Sequence, residues 1–307
     1  MTTSVTPVKH RKLKRVLSYW QSYVLLFPAL ITTLIFHYYP FYGIQIAFKN
    51  FKNKLGIMGS PWVGLKHFNS IIDTMDWNVL FNTLSISLYS IAVFPCAVIF
   101  ALMLNEVQNL KFKKTIQMVS YAPHFISMVV IVSLIDSFFA RSNGLINNVR
   151  ALMGAERIDF MTIPSYFSSL YVWSGVWQGL GWDAIIYIAA LAGVSTDLVE
   201  AARIDGANRL QIIIHVNLPH ILPTLVTLLI LRTGSVLSVG FEKTYLMQNS
   251  LNLEASRVIS TYVYEMGIKN SRMDYATAVG LLNNVVNMAV LLLVNWVAKK
   301  ASSISIF

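Results

Sequence analysis

Three sets of residues in this 307-residue chain stand where they could do chemistry. Asp136, Asp183 and Arg232 fall within or beside long apolar runs. A charge inside a bilayer is costly, so such residues face a protein interior or an aqueous cavity and are functional candidates by default. Asp136 lies near the end of its run, where plain solvation is an alternative. Asp183 and Arg232 lie deeper. They could pair with each other, line a solute path, contact a second subunit or relay a proton. The second set is Trp173, Trp177 and Trp182, in one run. Indole faces stack on sugar rings and bury their C–H surface. An interfacial aromatic belt and helix packing compete with that role. Asn82, Asn283, Asn284 and Asn287 could offer amides to sugar hydroxyls, or hydrogen-bond between helices.

The third set is a polar stretch, Glu200-Ala201-Ala202-Arg203-Ile204-Asp205-Gly206-Ala207-Asn208-Arg209, continuing through Gln211 to Leu218-Pro219 and Pro223. The spacing predicts a helix, a break and a second helix. Ser195, Thr196 or Asp197 can cap the first. Ala201 and Ala202 favour helix and permit close approach, and Gly206 suits the left-handed position that ends a helix. The second helix runs from Ala207 towards Asn217 with an apolar face at Leu210, Ile213, Ile214 and Val216. Pro219 and Pro223 are expected to break it and begin the next apolar run. A short helix of this kind cannot carry solute, but it can transmit a push. An ordinary amphipathic connector is the alternative.

Other chemistries leave no mark. The chain has no Gly-x-x-x-x-Gly-Lys-Ser/Thr phosphate loop, so ATP hydrolysis would have to come from another subunit. There is no His-Glu-x-x-His and no Gly-x-Ser-x-Gly. The lone cysteine, Cys96, cannot build a thiolate metal site by itself. No catalytic, cofactor or metal site is expected.

The elements that would position these residues are membrane spans. Hydrophobic residues make up 55% of the chain and charged residues 12%, about half the soluble average. Too few charges remain to cover a water-facing surface, so much of the surface is expected to meet lipid. The net charge of +10 makes nucleic acid the first partner to test. The charges are instead spread over loops between apolar runs, which argues against it. The run from Tyr23 to Tyr42 exceeds the roughly 7–15 residues of a signal core and lacks a small-residue cleavage site, so it reads as a retained span.

Six segments reach the roughly 20 apolar residues that a span needs: near 21–42, 79–104, 116–139, 167–191, 220–240 and 277–298. The expectation is an all-α, polytopic, six-helix domain over 21–298. A basic segment, 1–20, precedes it and a tail, 299–307, follows. Residues 8–18 read either as an interfacial helix or as a disordered basic tail. Gly175 and Gly179 form a small-xxx-small pair of the kind that brings helices together. Lys9, Arg11, Lys12, Lys14 and Arg15, then Lys111, Lys113 and Lys114, then Lys299 and Lys300 all fall on one side. The positive-inside rule makes that side cytoplasmic. Both termini and the 192–219 loop follow by parity. The opposite loops, near 43–78, 140–166 and 241–276, are long enough for short helices or a docking surface.

With the loop placed by charge and parity, its residues resemble a known signature. Glu200-Ala201-Ala202, three residues, Gly206, then Leu218-Pro219 is similar to the motif of binding-protein-dependent ABC permeases. Asp205-Gly206-Ala207 resembles the carbohydrate-importing subgroup. Leu26-Phe27-Pro28-Ala29, Tyr39-Pro40, Val63-Gly64-Leu65-Lys66-His67-Phe68, Asn82-Thr83, Ala101-Leu102-Met103-Leu104-Asn105, Tyr121-Ala122-Pro123, Tyr187-Ile188-Ala189-Ala190-Leu191 and Ala276-Thr277-Ala278-Val279-Gly280 extend the resemblance along nearly the whole chain. Leu210 with Ile213 departs from it, because aromatics are common there in relatives. That departure bears on the ATPase contact and leaves the fold implication intact.

The resemblance implies a type I ABC importer permease in a bacterial plasma membrane. Its partners would be a second, non-identical permease, two ABC ATPase subunits, an extracellular or periplasmic solute-binding protein and a carbohydrate. Glu200, Ala201, Ala202, Arg203, Asp205, Gly206, Ala207 and Asn208 would form the coupling helix on the ATPase. Asn82, Trp177, Trp182, Asp183 and Arg232 are the residues considered for the solute path. The competing expectation is an ion-coupled secondary carrier that uses Asp183 and Arg232.

Overall fold

The computed structural model describes residues 19–302; the basic stretch at 8–18 lies outside them. Its regular elements are helices, and Lys49 and Trp62 form an isolated antiparallel bridge. Four helices are long and apolar enough to cross a membrane: Trp20–Phe48, Trp77–Asn105, Arg209–Thr233 and Met273–Lys300. Two bent pairs raise the total to six when each counts as one span. Leu110–Phe125 meets Met128–Phe139 at 103°, and Pro164–Leu191 meets Thr196–Ile204 at 78°.

Proline explains where several of these helices change character. Pro40 and Pro95 have no amide hydrogen for an α-helical bond. In the first span a π turn, Leu34–Tyr38, passes into a 3-10 segment, Tyr39–Phe48, around Pro40. In the second, Trp77–Ala92 breaks at Val93–Phe94 and resumes at Pro95. The run expected as one helix near 116–139 is two. Leu110–Tyr121 tightens into a 3-10 turn, Ala122–Phe125, that holds Pro123, and the chain is extended at Ile126 and Ser127 before Met128.

Pro219 and Pro223 do the reverse of what the sequence suggests. They do not end the second loop helix. Arg209–Ile212, a π turn at Ile213–Asn217 and Leu218–Thr233 run on as one span. The π turn sends the Leu218 N–H to the Ile213 carbonyl, so the backbone has shifted register before Pro219 arrives. At its other end this span stops at Thr233 instead of continuing to 240.

The fourth span, Pro164–Leu191, packs against the second, third and fifth. Ala101 and Ala184 are fully buried where the second and fourth meet. A Cβ at Gly181 would lie 2.4 Å from the Ser120 carbonyl oxygen, so only glycine lets this helix ride over the third-span break. No residue of Trp20–Thr33 is buried. That helix offers its whole apolar surface to lipid or to another subunit.

Candidate functional site

Near the middle of the bundle lies a cavity of about 330 Å³. Its walls come from the second, third, fourth and fifth spans, the segment after Thr233 and the short helix Phe241–Met247. The polar lining is Ser87, Ser90, Gln178, Asp183, Arg232, Ser235, Ser238 and Lys243.

The unwound segment at 234–240 creates the opening. A Cβ at Gly234 would lie 2.5 Å from Leu291 Cδ1, so glycine lets the fifth span end against the sixth. Backbone that leaves a helix at this depth must find partners within the protein. Asn287 supplies them. Its Oδ1 accepts the Leu237 N–H at 2.9 Å, and its Nδ2 donates to Ser238 Oγ at 3.0 Å.

Asp183 and Arg232 both line this cavity, from different spans. The ion pairs within 4.0 Å among the described residues are His67–Asp274 and Arg257–Glu265, so Asp183 and Arg232 share the space without closing a contact. The Arg232 guanidinium lies 5.9 Å from the Phe94 ring centre.

The other residues considered for the path stand elsewhere. Asn82 donates to the carbonyls of Glu254 and Arg257 at 2.7 and 3.1 Å and ties the 241–276 segment to the second span. Trp182 stacks on His124 at 4.2 Å and meets Phe125 edge-on, at the third-span break. Trp177 is 48% exposed on the outside of the bundle. At 100° per residue, positions 177 and 182 lie about 140° apart on a helix, so the two indoles cannot face one path. Trp173 donates to the Tyr89 hydroxyl at 2.8 Å. Asp136 is exposed near the end of its helix.

Sequence reasoning missed Lys243. It follows an apolar run and reads as loop, yet it is only 5% exposed. Its Nζ donates to the Tyr171 carbonyl at 2.7 Å and lies 4.7 Å from that ring's centre. Burial pushes its ammonium down from 10.5 to about 8. The available signal was Gly175, read as a helix-packing residue. Its missing side chain instead admits Lys243, whose Nζ would lie 3.3 Å from a Cβ there.

The 192–219 loop is the second site. The Ser195 side chain accepts the Asp197 N–H at 3.2 Å and starts Thr196–Ile204. Gly206 has φ +83°. Around it the Gly206 N–H bonds the Arg203 carbonyl and the Ala207 N–H bonds the Ala202 carbonyl, at 3.1 and 2.9 Å. This is the paired closure that a left-handed residue permits at a helix end. Asn208 then accepts the Gln211 N–H at 3.0 Å while the Gln211 side chain accepts the Asn208 N–H at 2.7 Å. Two helices are thus closed back to back with little slack.

Leu198, Ile204 and Leu210 are exposed on this hairpin, Ile204 at 86%. Glu200, Arg203 and Arg209 line a cleft with Asn105 and Glu106, at the end of the second span. Ala202, Asp205, Gly206 and Ala207 line another with Gln211 and His215. Ala201 is exposed.

Residues 93–303 match the family described as "Binding-protein-dependent transport system inner membrane component". The chain is 41% identical over 280 residues to the polygalacturonan/rhamnogalacturonan transport system permease protein YteP of Bacillus subtilis (strain 168), covering 91% of this chain and 87% of that one. It is also 41% identical to protein LplB of the same organism, over 93% and 90%. A solved bacterial ABC transporter involved in the import of the acidic polysaccharide alginate has a chain that superposes with TM-score 0.86 and 37% identity, over 95% of this chain and 99% of that one. A structure of the bacterial alginate transporter with an alginate pentasaccharide-bound periplasmic protein matches equally, at 0.86 and 36% identity. The likeness runs through the cavity segments and the capped 192–219 loop together, and the chain belongs to the family of binding-protein-dependent transport system inner membrane components, as a multi-pass permease of the carbohydrate ABC importer kind.

Proposed function

We propose that this chain is the permease subunit of an importer that moves a carbohydrate into the cell, driven by a separate ATPase seated on Glu200–Asn208. The observation that carries the reading is the loop hairpin itself. It is closed by Gly206 and capped by Asn208, and it leaves Leu198, Ile204 and Leu210 bare. Apolar side chains on a tightly closed helix pair suit a partner that must push on them without losing motion in a soft joint.

In this reading ATP closes an ATPase dimer, and the coupling helices rock the spans between inward and outward openings. Both termini lie in the cytoplasm. A second permease, two ATPase subunits and an external solute-binding protein complete the assembly. Trp20–Thr33, bare along its length, is one surface for another subunit.

The test replaces Glu200, or changes Gly206 to valine, in the full transporter. Uptake and ATPase stimulation should be lost while membrane insertion is kept. Wild-type uptake from both variants would remove the role given to the loop. Asp183 and Arg232, two opposite charges in one cavity, favour an ion-coupled carrier as the second reading. Uptake by this chain alone, driven by an ion gradient without an ATPase, would establish that reading.

A further inference from the structure

The lining charges of the central cavity do not balance. Arg232 and Lys243 bring two positive charges, and Asp183 brings one negative. Arg232 has Asp183 as its electrostatic neighbour. Lys243 has none, since no ion pair among the described residues involves it. An ammonium has three N–H donors, and the one acceptor that Lys243 reaches is the Tyr171 carbonyl.

A buried cation without a counter-charge is costly. Nothing in the packing calls for this one. Gly175 leaves room for its head group, and no carboxylate stands within 4.0 Å of it. The cost is sensible if an anion periodically occupies the space beside Nζ.

We infer that Lys243 is a specificity-determining contact for the carboxylate of an acidic sugar as it passes this cavity. The inference rests on the importer reading above and names its substrate class. Ser87, Ser90 and Gln178 offer donors and acceptors to sugar hydroxyls, and Tyr171 and Phe94 offer ring faces. One surplus positive charge matches one monoanionic carboxylate. A phosphate dianion would set a second negative charge near Asp183, so a carboxylate fits better than a phosphorylated sugar.

The experiment uses the whole transporter in proteoliposomes, with the binding protein saturated by each probe. The probes are trigalacturonate, its methyl ester, which is neutral, and a phosphorylated trisaccharide. Wild type should turn over the free acid at least about tenfold faster than the ester, since a charge-assisted hydrogen bond is at stake. Lys243→Met should abolish that preference and Lys243→Arg should keep it. Should Lys243→Met not copurify with its partners, a wild-type titration from pH 7 to 9.5 removes the same charge without a substitution. Cys96, Tyr171, Asp183 and Arg232 also face this space. Cys96 carries a second ionisable group, so the titration is repeated on Cys96→Ser.

Equal handling of acid and ester by wild type overturns the inference, as does an unchanged acid preference in Lys243→Met or a preference for the phosphorylated probe. ATP-driven uptake of neutral sugars alone would overturn it while leaving the importer reading standing. The absence of ATP-driven uptake of any sugar would overturn the importer reading itself.

Discussion

Asn287 holds Leu237: its side-chain oxygen accepts the Leu237 amide hydrogen at 2.9 Å, reaching from the sixth span to the chain just past the end of the fifth. Leu237 is 6% exposed, so its N–H has no water to turn to. One amide therefore keeps seven residues of irregular backbone in place beside the cavity.

Asn287→Ala should cost about 1–3 kcal/mol, the price of leaving a buried donor unmade. The thermal unfolding midpoint in detergent should fall accordingly. An alanine variant as stable as wild type would mean that the segment is held by something else.

Gly206 carries a second expectation. A residue with a Cβ pays about 1–2 kcal/mol at φ +83°, and a β-branched one pays more. Gly206→Val should open the closure between Ala202 and Ala207 and abolish ATP-driven uptake, while the chain still inserts and copurifies with its partners. Gly206→Asn, which tolerates the left-handed region, should retain much of the transport. Equal loss in both would point to a packing role for glycine and away from its conformation.

That site was legible because local chemistry alone decides it. A cap among Ser195, Thr196 and Asp197, and Gly206 as terminator, follow from backbone rules that hold in any surroundings. Pro219 and Pro223 obey such a rule too, but the π turn at Ile213–Asn217 had already moved the register, and sequence periodicity does not show a π turn. The stop at Thr233 was hidden for a related reason. Residues 234–240 read as apolar and small, and the amide that lets them unwind, Asn287, lies on another span. Lys243 was invisible because the fourth-span residues that stand against it, Tyr171 and Gly175, lie far away in sequence. Trp177 and Trp182 were grouped because they are close in sequence, although the helical turn separates them.

Two glycines give a paired packing test. Gly181→Ala places a methyl 2.4 Å from the Ser120 carbonyl oxygen, which is backbone and cannot swing aside. Overpacking of this kind costs about 1–3 kcal/mol, and yield and unfolding temperature should both drop. Gly280→Ala meets nothing within 4 Å in the middle of a helix. It should be neutral, or stabilising by up to about 1 kcal/mol. If both behave alike, the fourth and third spans do not approach as closely as described.

Lys243 makes the last prediction, with two readouts of opposite sign. Burial holds its folded value near 8, against 10.5 for the ordinary side chain. Below 8 the ammonium is charged, so preference for an acidic sugar over its neutral ester should be full at pH 7 and fade as pH rises through 8. Stability runs the other way. Between 8 and 10.5 the unfolded chain binds a proton that the folded chain has released, so folding gains as pH rises. The gain is on the order of 3 kcal/mol at most. Tested as the difference between wild type and Lys243→Met, unfolding should show wild type recovering lost ground from pH 8 upward while its acid preference declines over the same range. A preference that persists unchanged to pH 10 would show that the charge selecting the substrate is not this one, and would point to Arg232, the other cation lining the cavity.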